Sequence, residues 1–171
     1  MTQDERFMQM ALTLAREAAG QDQLPVGAVI VSADGSIVGT GRKRPESHWR
    51  LDHAEMVALR EAVPSGAAVQ GDERVRGMTV YTTLEPCLMC FGAILNARLD
   101  RIVYALEDPY GGGTRLSREH MPPRHREVFP AITAGVLRDE AAAVFREFFR
   151  TTKSRFWSNP DNPLVEACVR P

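Results

Sequence analysis

The sequence predicts an α/β domain in which strands and helices alternate. Three patterns lead there. Short β-branched, apolar runs cover residues 24–31, 78–83 and 101–105. Apolar positions at helical spacing fall around and between them, over residues 7–18, 53–63, 86–98 and 138–150. No internal repeat or low-complexity tract interrupts the alternation.

In chain order, Phe7, Met10, Ala11, Leu14, Ala15 and Ala18 recur at i, i+3, i+4, i+7, i+8 and i+11, one face of an amphipathic helix that Gly20 stops. Leu24 to Val31 reads as a strand apolar on both faces, Asp34-Gly35 as a hairpin turn, and Ile37 to Gly41 as the returning strand. Gly27 weakens that first strand unless it marks a bulge or something approaches its backbone closely. A polar loop from Gly41 to Asp52 follows, in which His48 reads as solvated. His53 opens a helix that Pro64-Ser65-Gly66 ends, and 67–77 is a polar connector. Met78 to Thr83 is a strand. Pro86 fits the first turn of a helix that runs to about Arg98. Arg101 to Ala105 is another strand, and Glu107 to Glu127 is a long loop of the kind that usually carries function. Ile132 to Leu137 reads as a short edge strand. Arg138 to Arg150 reads as a helix with Ala142, Val144, Phe145, Phe148 and Phe149 on its apolar side.

The chain of 171 residues is long enough to bury a substantial core, and its 44% hydrophobic and 25% charged residues are ordinary for a globular protein. Asp4 and Glu5 precede any apolar stretch, so the start does not read as a signal peptide, and no apolar run approaches the roughly 18 residues of a membrane span. Three cysteines do not make a disulfide framework, so a cytoplasmic location is expected. The formal net charge of −1 weighs slightly against a large nucleic-acid substrate.

The chemistry concentrates in His53-Ala54-Glu55 and Pro86-Cys87-Leu88-Met89-Cys90. One imidazole and two thiolates suit Zn²⁺. Three protein ligands leave a position open for water, the mark of a catalytic rather than a structural zinc, and bound zinc brings the pKa of that water to roughly 7. Cys87 and Cys90, at i and i+3, can face one metal, and a helix N-terminus favours their thiolates. Glu55, not needed as a ligand, is placed for general acid/base work. One competing reading is a non-catalytic, zinc-stabilised binding protein with Cys168 as fourth ligand. Another is a redox dithiol, which leaves His53-Ala54-Glu55 unexplained.

His-Ala-Glu followed by Thr82-Thr83-Leu84-Glu85-Pro86-Cys87-Leu88-Met89-Cys90 resembles the cytidine deaminase-like superfamily, in particular its tRNA adenosine, guanine and cytosine deaminase branch. The resemblance covers about Phe7 to Asp161. It implies a three-layer α/β/α fold, a five-stranded mixed sheet flanked by helices, with the helices at His53 and Pro86 aimed at one Zn²⁺ per chain. It also implies hydrolytic deamination of an amino-bearing nucleobase or nucleoside to its oxo form, with ammonia released and Glu55 shuttling the proton. Among substrate contacts it implies the run Val26, Gly27, Ala28 along the base pocket and the backbone near Glu85 for the leaving amine. Asp108 falls at the entrance. Relatives place an Asn in the 41–52 loop, which has none here; Lys43 is the nearest match. The whole of 1–171 reads as one deaminase domain. Its C-terminal extension, 151–171, offers Phe156, Trp157 and Asp161 as a cap. Relatives usually pair as homodimers.

The missing Asn, the tail and the lack of positive charge favour a small nucleobase or nucleoside substrate. The wobble adenosine of a tRNA is the alternative, kept by Arg115, Arg118, Arg124 and Arg126, whose plainer reading is a solvated basic loop.

Overall fold

The structure is a computed structural model and describes residues 1–48, 50–63 and 77–169. Helix α1 spans Gln3–Gly20 and is followed by strands β1 (Gly27–Val31) and β2 (Ile37–Arg42). Then come α2 (Ala54–Ala62), β3 (Thr79–Leu84), α3 (Leu88–Ala97) and β4 (Arg101–Leu106). The chain closes with α4 (Pro123–Glu127), β5 (Ala131–Thr133), α5 (Arg138–Thr151) and α6 (Pro163–Val169). The five strands form one mixed sheet in the order β2-β1-β3-β4-β5. β1 runs antiparallel to both β2 and β3, while β3, β4 and β5 are parallel.

Two apolar cores flank the sheet. Phe7, Met8 and Leu12 of α1 join Phe145, Phe148 and Phe149 of α5, with α6 in the same core. Ala54, Ala58, Phe91 and Ile94 of α2 and α3 fill the opposite face. This is the three-layer α/β/α arrangement, and it explains why β1 is buried on both faces. The helices lie close because the strands yield room. A Cβ on Gly27 would sit 2.0 Å from the Ala11 carbonyl oxygen of α1, and one on Gly41 would sit 1.9 Å from the Ala54 carbonyl oxygen at the start of α2. Close helix–sheet packing is therefore the reason for Gly27. At Gly41 the same packing fixes the entry of α2, where His53 stands.

Several boundaries differ from the sequence reading. β1 begins at Gly27 rather than Leu24. Pro86 lies ahead of α3, whose N-cap is Cys87. The 107–127 loop holds a 3-10 turn at Arg118–His120 and the five-residue α4, both too short to show a period. β5 stops at Thr133 because Gly135 (φ 81°) and Leu137 (φ 54°) turn the chain into left-handed conformations. Helix α6 has no counterpart in the sequence reading. The stop signal at Pro64-Ser65-Gly66 and the connector up to residue 76 lie outside the described residues. Among the described residues, no helix is long and apolar enough to cross a membrane.

Candidate active site

His53 is the N-cap of α2 and Cys87 the N-cap of α3, and Cys90 sits in the first turn of α3. Both caps have extended backbone, with φ and ψ of −70° and 157° for His53 and −66° and 169° for Cys87. Neither side chain caps its own helix, so both are free to face each other across the two helix starts. His53 Nδ1 lies 3.5 Å from Cys87 Sγ and 3.5 Å from Cys90 Sγ. Bonds of about 2.3 Å to sulfur and about 2.0 Å to nitrogen at a tetrahedral angle require an N···S edge of about 3.5 Å. The three donors thus fit one Zn²⁺ through Nδ1, and theirs is the only metal-holding group of this kind among the described residues.

The electrostatics agree with that use. The Cys87 thiol is lowered to about 4, first by its hydrogen bond with Cys90 and then by His53, against the opposing effect of burial. Cys90 moves the other way, because the proton the two sulfurs share stays on it and because it is buried. His53 is raised by the Cys87 sulfur beside it. A bound metal would hold both sulfurs as thiolates.

Glu55 stands in the first turn of α2, almost wholly buried. Its Oε1 accepts a hydrogen bond from Thr82 Oγ1 at 3.1 Å, and its Oε2 lies 3.5 Å from Cys90 Sγ. Burial raises its pKa, chiefly by desolvating the carboxylate. A carboxyl whose affinity for a proton is raised by burial is the better suited to take one and return it.

His53, Glu55 and Cys87 open on a cavity of about 870 Å³. Of the residues singled out from sequence, His53, Glu55, Cys87, Val26, Lys43, Glu85, Asp108, Phe156 and Trp157 line it. Cys90, buried behind Cys87, and Gly27, Ala28 and Asp161 do not. Gly27 abuts α1, and its N–H donates to Thr83 Oγ1 at 3.1 Å. Ala28 is buried in the core under α2 and α3. Asp161 is exposed, its N–H donating to Asn159 Oδ1 at 3.0 Å.

Lys43 is half-buried, and desolvation lowers its pKa against the pull of Asp52. Asp108 both lines the cavity and makes a turn, its Oδ1 accepting from the N–H groups of Tyr110 (2.9 Å) and Gly111 (3.0 Å). Trp157 packs edge-on against Phe156 at 4.7 Å between centroids and stacks on Phe149 at 6.2 Å. His48 is exposed. Cys168 is buried in the core with α5, its thiol pushed up to about 11 by burial, and it does not belong to the metal-holding group.

Sequence reasoning did not single out Arg50, Tyr110 or Leu164, which also line the cavity. Nor did it assign Thr82 to Glu55. Thr82 stands on β3 opposite Ala28 of β1, a cross-strand pairing that periodicity does not reveal.

Comparison with known proteins gives one consistent result. Residues 1–106 match the family model for the cytidine and deoxycytidylate deaminase zinc-binding region. The chain is 35% identical to a tRNA-specific adenosine deaminase of Agrobacterium fabrum over 88% of this chain and 96% of that protein. It is 33% identical to the tRNA-specific adenosine deaminase of Bacillus subtilis over 91% of this chain and 94% of that one. It is also 40% identical to tRNA(Ile)-lysidine synthase of Deinococcus radiodurans, but spans only 26% of that protein's length. Among solved structures, one from a study of A-to-I editing at the wobble position of transfer RNA matches at TM-score 0.68 and 35% identity. It covers 81% of this chain and 98% of its own. NE0047 in complex with 2,6-diaminopurine matches at TM-score 0.64 and 25% identity, over 85% of this chain and 80% of its own.

Proposed function

We infer that this chain, which belongs to the zinc-binding cytidine and deoxycytidylate deaminase family, is a zinc-dependent hydrolytic deaminase. The substrate we propose is an adenosine of a transfer RNA at the wobble position, converted to inosine with release of ammonia. The observation that carries this reading is the likeness to tRNA-specific adenosine deaminases along nearly their whole length. It outweighs the near-neutral charge, the absent loop Asn and the long tail. Lys43 and Arg50 on the cavity wall suit a phosphate backbone beside the target base.

Bound zinc supplies activation of water at neutral pH. The protein does the rest. His53 Nδ1, Cys87 and Cys90 would hold the metal. Glu55 takes one proton of the attacking water on Oε2, the oxygen nearer Cys90, and delivers it to a ring nitrogen, where it stays; it then takes the water's second proton from the added hydroxyl and delivers it to the departing amine, which leaves as ammonia. Thr82 fixes the other oxygen. Val26, Phe156 and Trp157 give the cavity apolar and aromatic wall for a flat base, and residues 151–171 belong to the same deaminase domain as its cap. The enzyme works in the cytoplasm, where its thiols stay reduced, and as a homodimer.

A second reading, a free purine, is favoured by that aromatic wall and by the likeness to NE0047, whose solved complex holds 2,6-diaminopurine. One assay separates them. The zinc-loaded enzyme is given an anticodon stem-loop with wobble adenosine, adenosine, and free adenine, guanine and cytosine, and ammonia is measured at two salt concentrations. The tRNA reading expects inosine in the stem-loop and a steep fall of affinity with salt. Ammonia from free bases alone, indifferent to salt, overturns it.

A further inference from the structure

We propose that Glu85 is a positioning residue for the reaction, whose side chain fastens the 107–115 loop against the first cysteine helix and so sets one wall of the cavity. The inference needs only that the cavity is the active site, whichever base enters it.

Glu85 is the residue between β3 and the Pro86-Cys87 step, and its side chain is completely buried. A buried carboxylate costs several kcal/mol unless it is fully satisfied. Here every partner comes from one loop. Oε2 accepts from the Asp108 N–H at 3.0 Å, and Oε1 accepts from the Thr114 N–H at 3.2 Å and Thr114 Oγ1 at 2.6 Å. Arg115 closes the ring, with Nη2 3.6 Å from Glu85 Oε2 and donating to the Asp108 carbonyl at 2.9 Å.

The loop is shaped to receive this carboxylate. A Cβ on Gly112 would fall 2.3 Å from Glu85 Oε2, so only glycine fits there. Gly112 also bridges to Cys87, and the Gly113 N–H donates to the Pro86 carbonyl at 2.8 Å. The segment Glu85-Pro86-Cys87 thus holds the metal-side cysteine at one end and the loop at the other. Asp108 and Tyr110, the loop residues on the cavity, inherit their position from it. A salt link across the surface would not need such a cradle, and an apolar residue would pack the site without ordering the loop N–H groups.

Glu85→Gln tests this, because an amide presents one oxygen and one NH₂. In either orientation the Asp108 or the Thr114 N–H then faces another donor. The full-length, zinc-loaded variant is assayed on whichever substrate of the above panel the wild type deaminates. Expected are one zinc per chain and faster amide exchange at Asp108 and Thr114. KM should rise by about tenfold or more with kcat within about threefold, since the wall orients substrate away from the reacting carbon. Unchanged KM despite faster exchange overturns the proposal, as does loss of zinc. If Glu85→Gln does not fold, Thr114→Val, which deletes the hydroxyl donor alone, should raise KM about threefold and Thr114→Ser should restore it. Thr114→Val with wild-type KM overturns the proposal equally.

Discussion

Replacing Glu55 by Gln separates proton transfer from metal binding. The substitution keeps shape and the acceptor that Thr82 contacts, but removes the group able to accept a proton. The size of the loss follows from what else the cavity offers. Three other carboxylates line it: Glu85, Asp108 and Asp22. Glu85 has both oxygens occupied by the loop. Asp108 Oδ1 is committed to its own turn, and Asp22 Oδ1 accepts from Thr152 Oγ1 at 2.7 Å. Glu55 is set apart from them by the oxygen it holds 3.5 Å from Cys90 Sγ, beside the metal-holding group, so the loss belongs at the upper end of general acid/base contributions, about 10³–10⁴-fold in kcat, or ~4–5.5 kcal/mol. Zinc should stay at one per chain, because Glu55 is outside the His53, Cys87, Cys90 group. Removing a wholly buried carboxylate also lifts a desolvation cost, so the variant should melt no lower than wild type. Zinc is measured by elemental analysis and turnover by single-turnover ammonia release. Zinc loss would make Glu55 a ligand, and a kcat reduction below tenfold would mean that another group moves the proton.

Thr82→Val frees Glu55 Oε1 and should cost up to about tenfold in kcat at constant zinc, read in the same assay; no change would remove Thr82 from the mechanism. Cys87→Ser should lose metal and stability, whereas Cys168→Ser should keep one zinc and full activity; metal loss in the latter would revive the four-ligand structural site. Asp4→Asn tests the joint between α1 and the sheet, where Asp4 accepts from both Arg101 Nη atoms (2.8 and 2.7 Å) and from Tyr81 Oη (2.9 Å). The Arg101 hydrogen bonds hold the Asp4 carboxyl below its usual range, so its stabilisation is present above about pH 4 and is lost as pH falls through the folded value. Urea melts should therefore show wild type ahead by about 1–2 kcal/mol at pH 7, with the gap to Asp4→Asn narrowing as pH is lowered below about 4; a gap that does not narrow would refute the linkage.

How far the sequence speaks depends on the range over which each signal acts. The period of α1 is local, and Phe7, Ala11, Ala15 and Ala18 are all buried as their spacing requires, while Met10 at the edge of the same stripe is 41% exposed. β1 was legible because burial on both faces demands a continuous apolar run, and β3 because its residues are β-branched and aromatic. β5 was overextended because Val136 and Leu137 continue the apolar character, yet left-handed residues end the strand before them. The metal group was legible because each donor lies at or just past a helix start, and chain motifs fix those starts. The pairing of Thr82 with Glu55 spans 27 residues, and that of Thr114 with Glu85 spans 29. Both depend on sheet register and loop closure, which no spacing within the chain encodes.

The tail marks the boundary most clearly. Its Pro and polar composition reads as an appendage, and Phe156 and Trp157 then read as a flap that can be removed. Yet Asn162 caps α6 by accepting from the Leu164 N–H at 3.0 Å, and Leu164, Val165 and Cys168 are buried in the core with α5. At its other end Thr152 is tied to Asp22 in the turn after α1, and Asp22 itself lines the cavity. Phe156 and Trp157 are therefore held between two anchored points, with Trp157 stacked on Phe149 of the core. Cutting the chain after Ser154 would remove core as well as wall, and loss of activity would then say nothing about the pocket. Phe156, 54% exposed, can be changed with less disturbance, so Phe156→Ala is the substitution that asks whether the wall touches substrate.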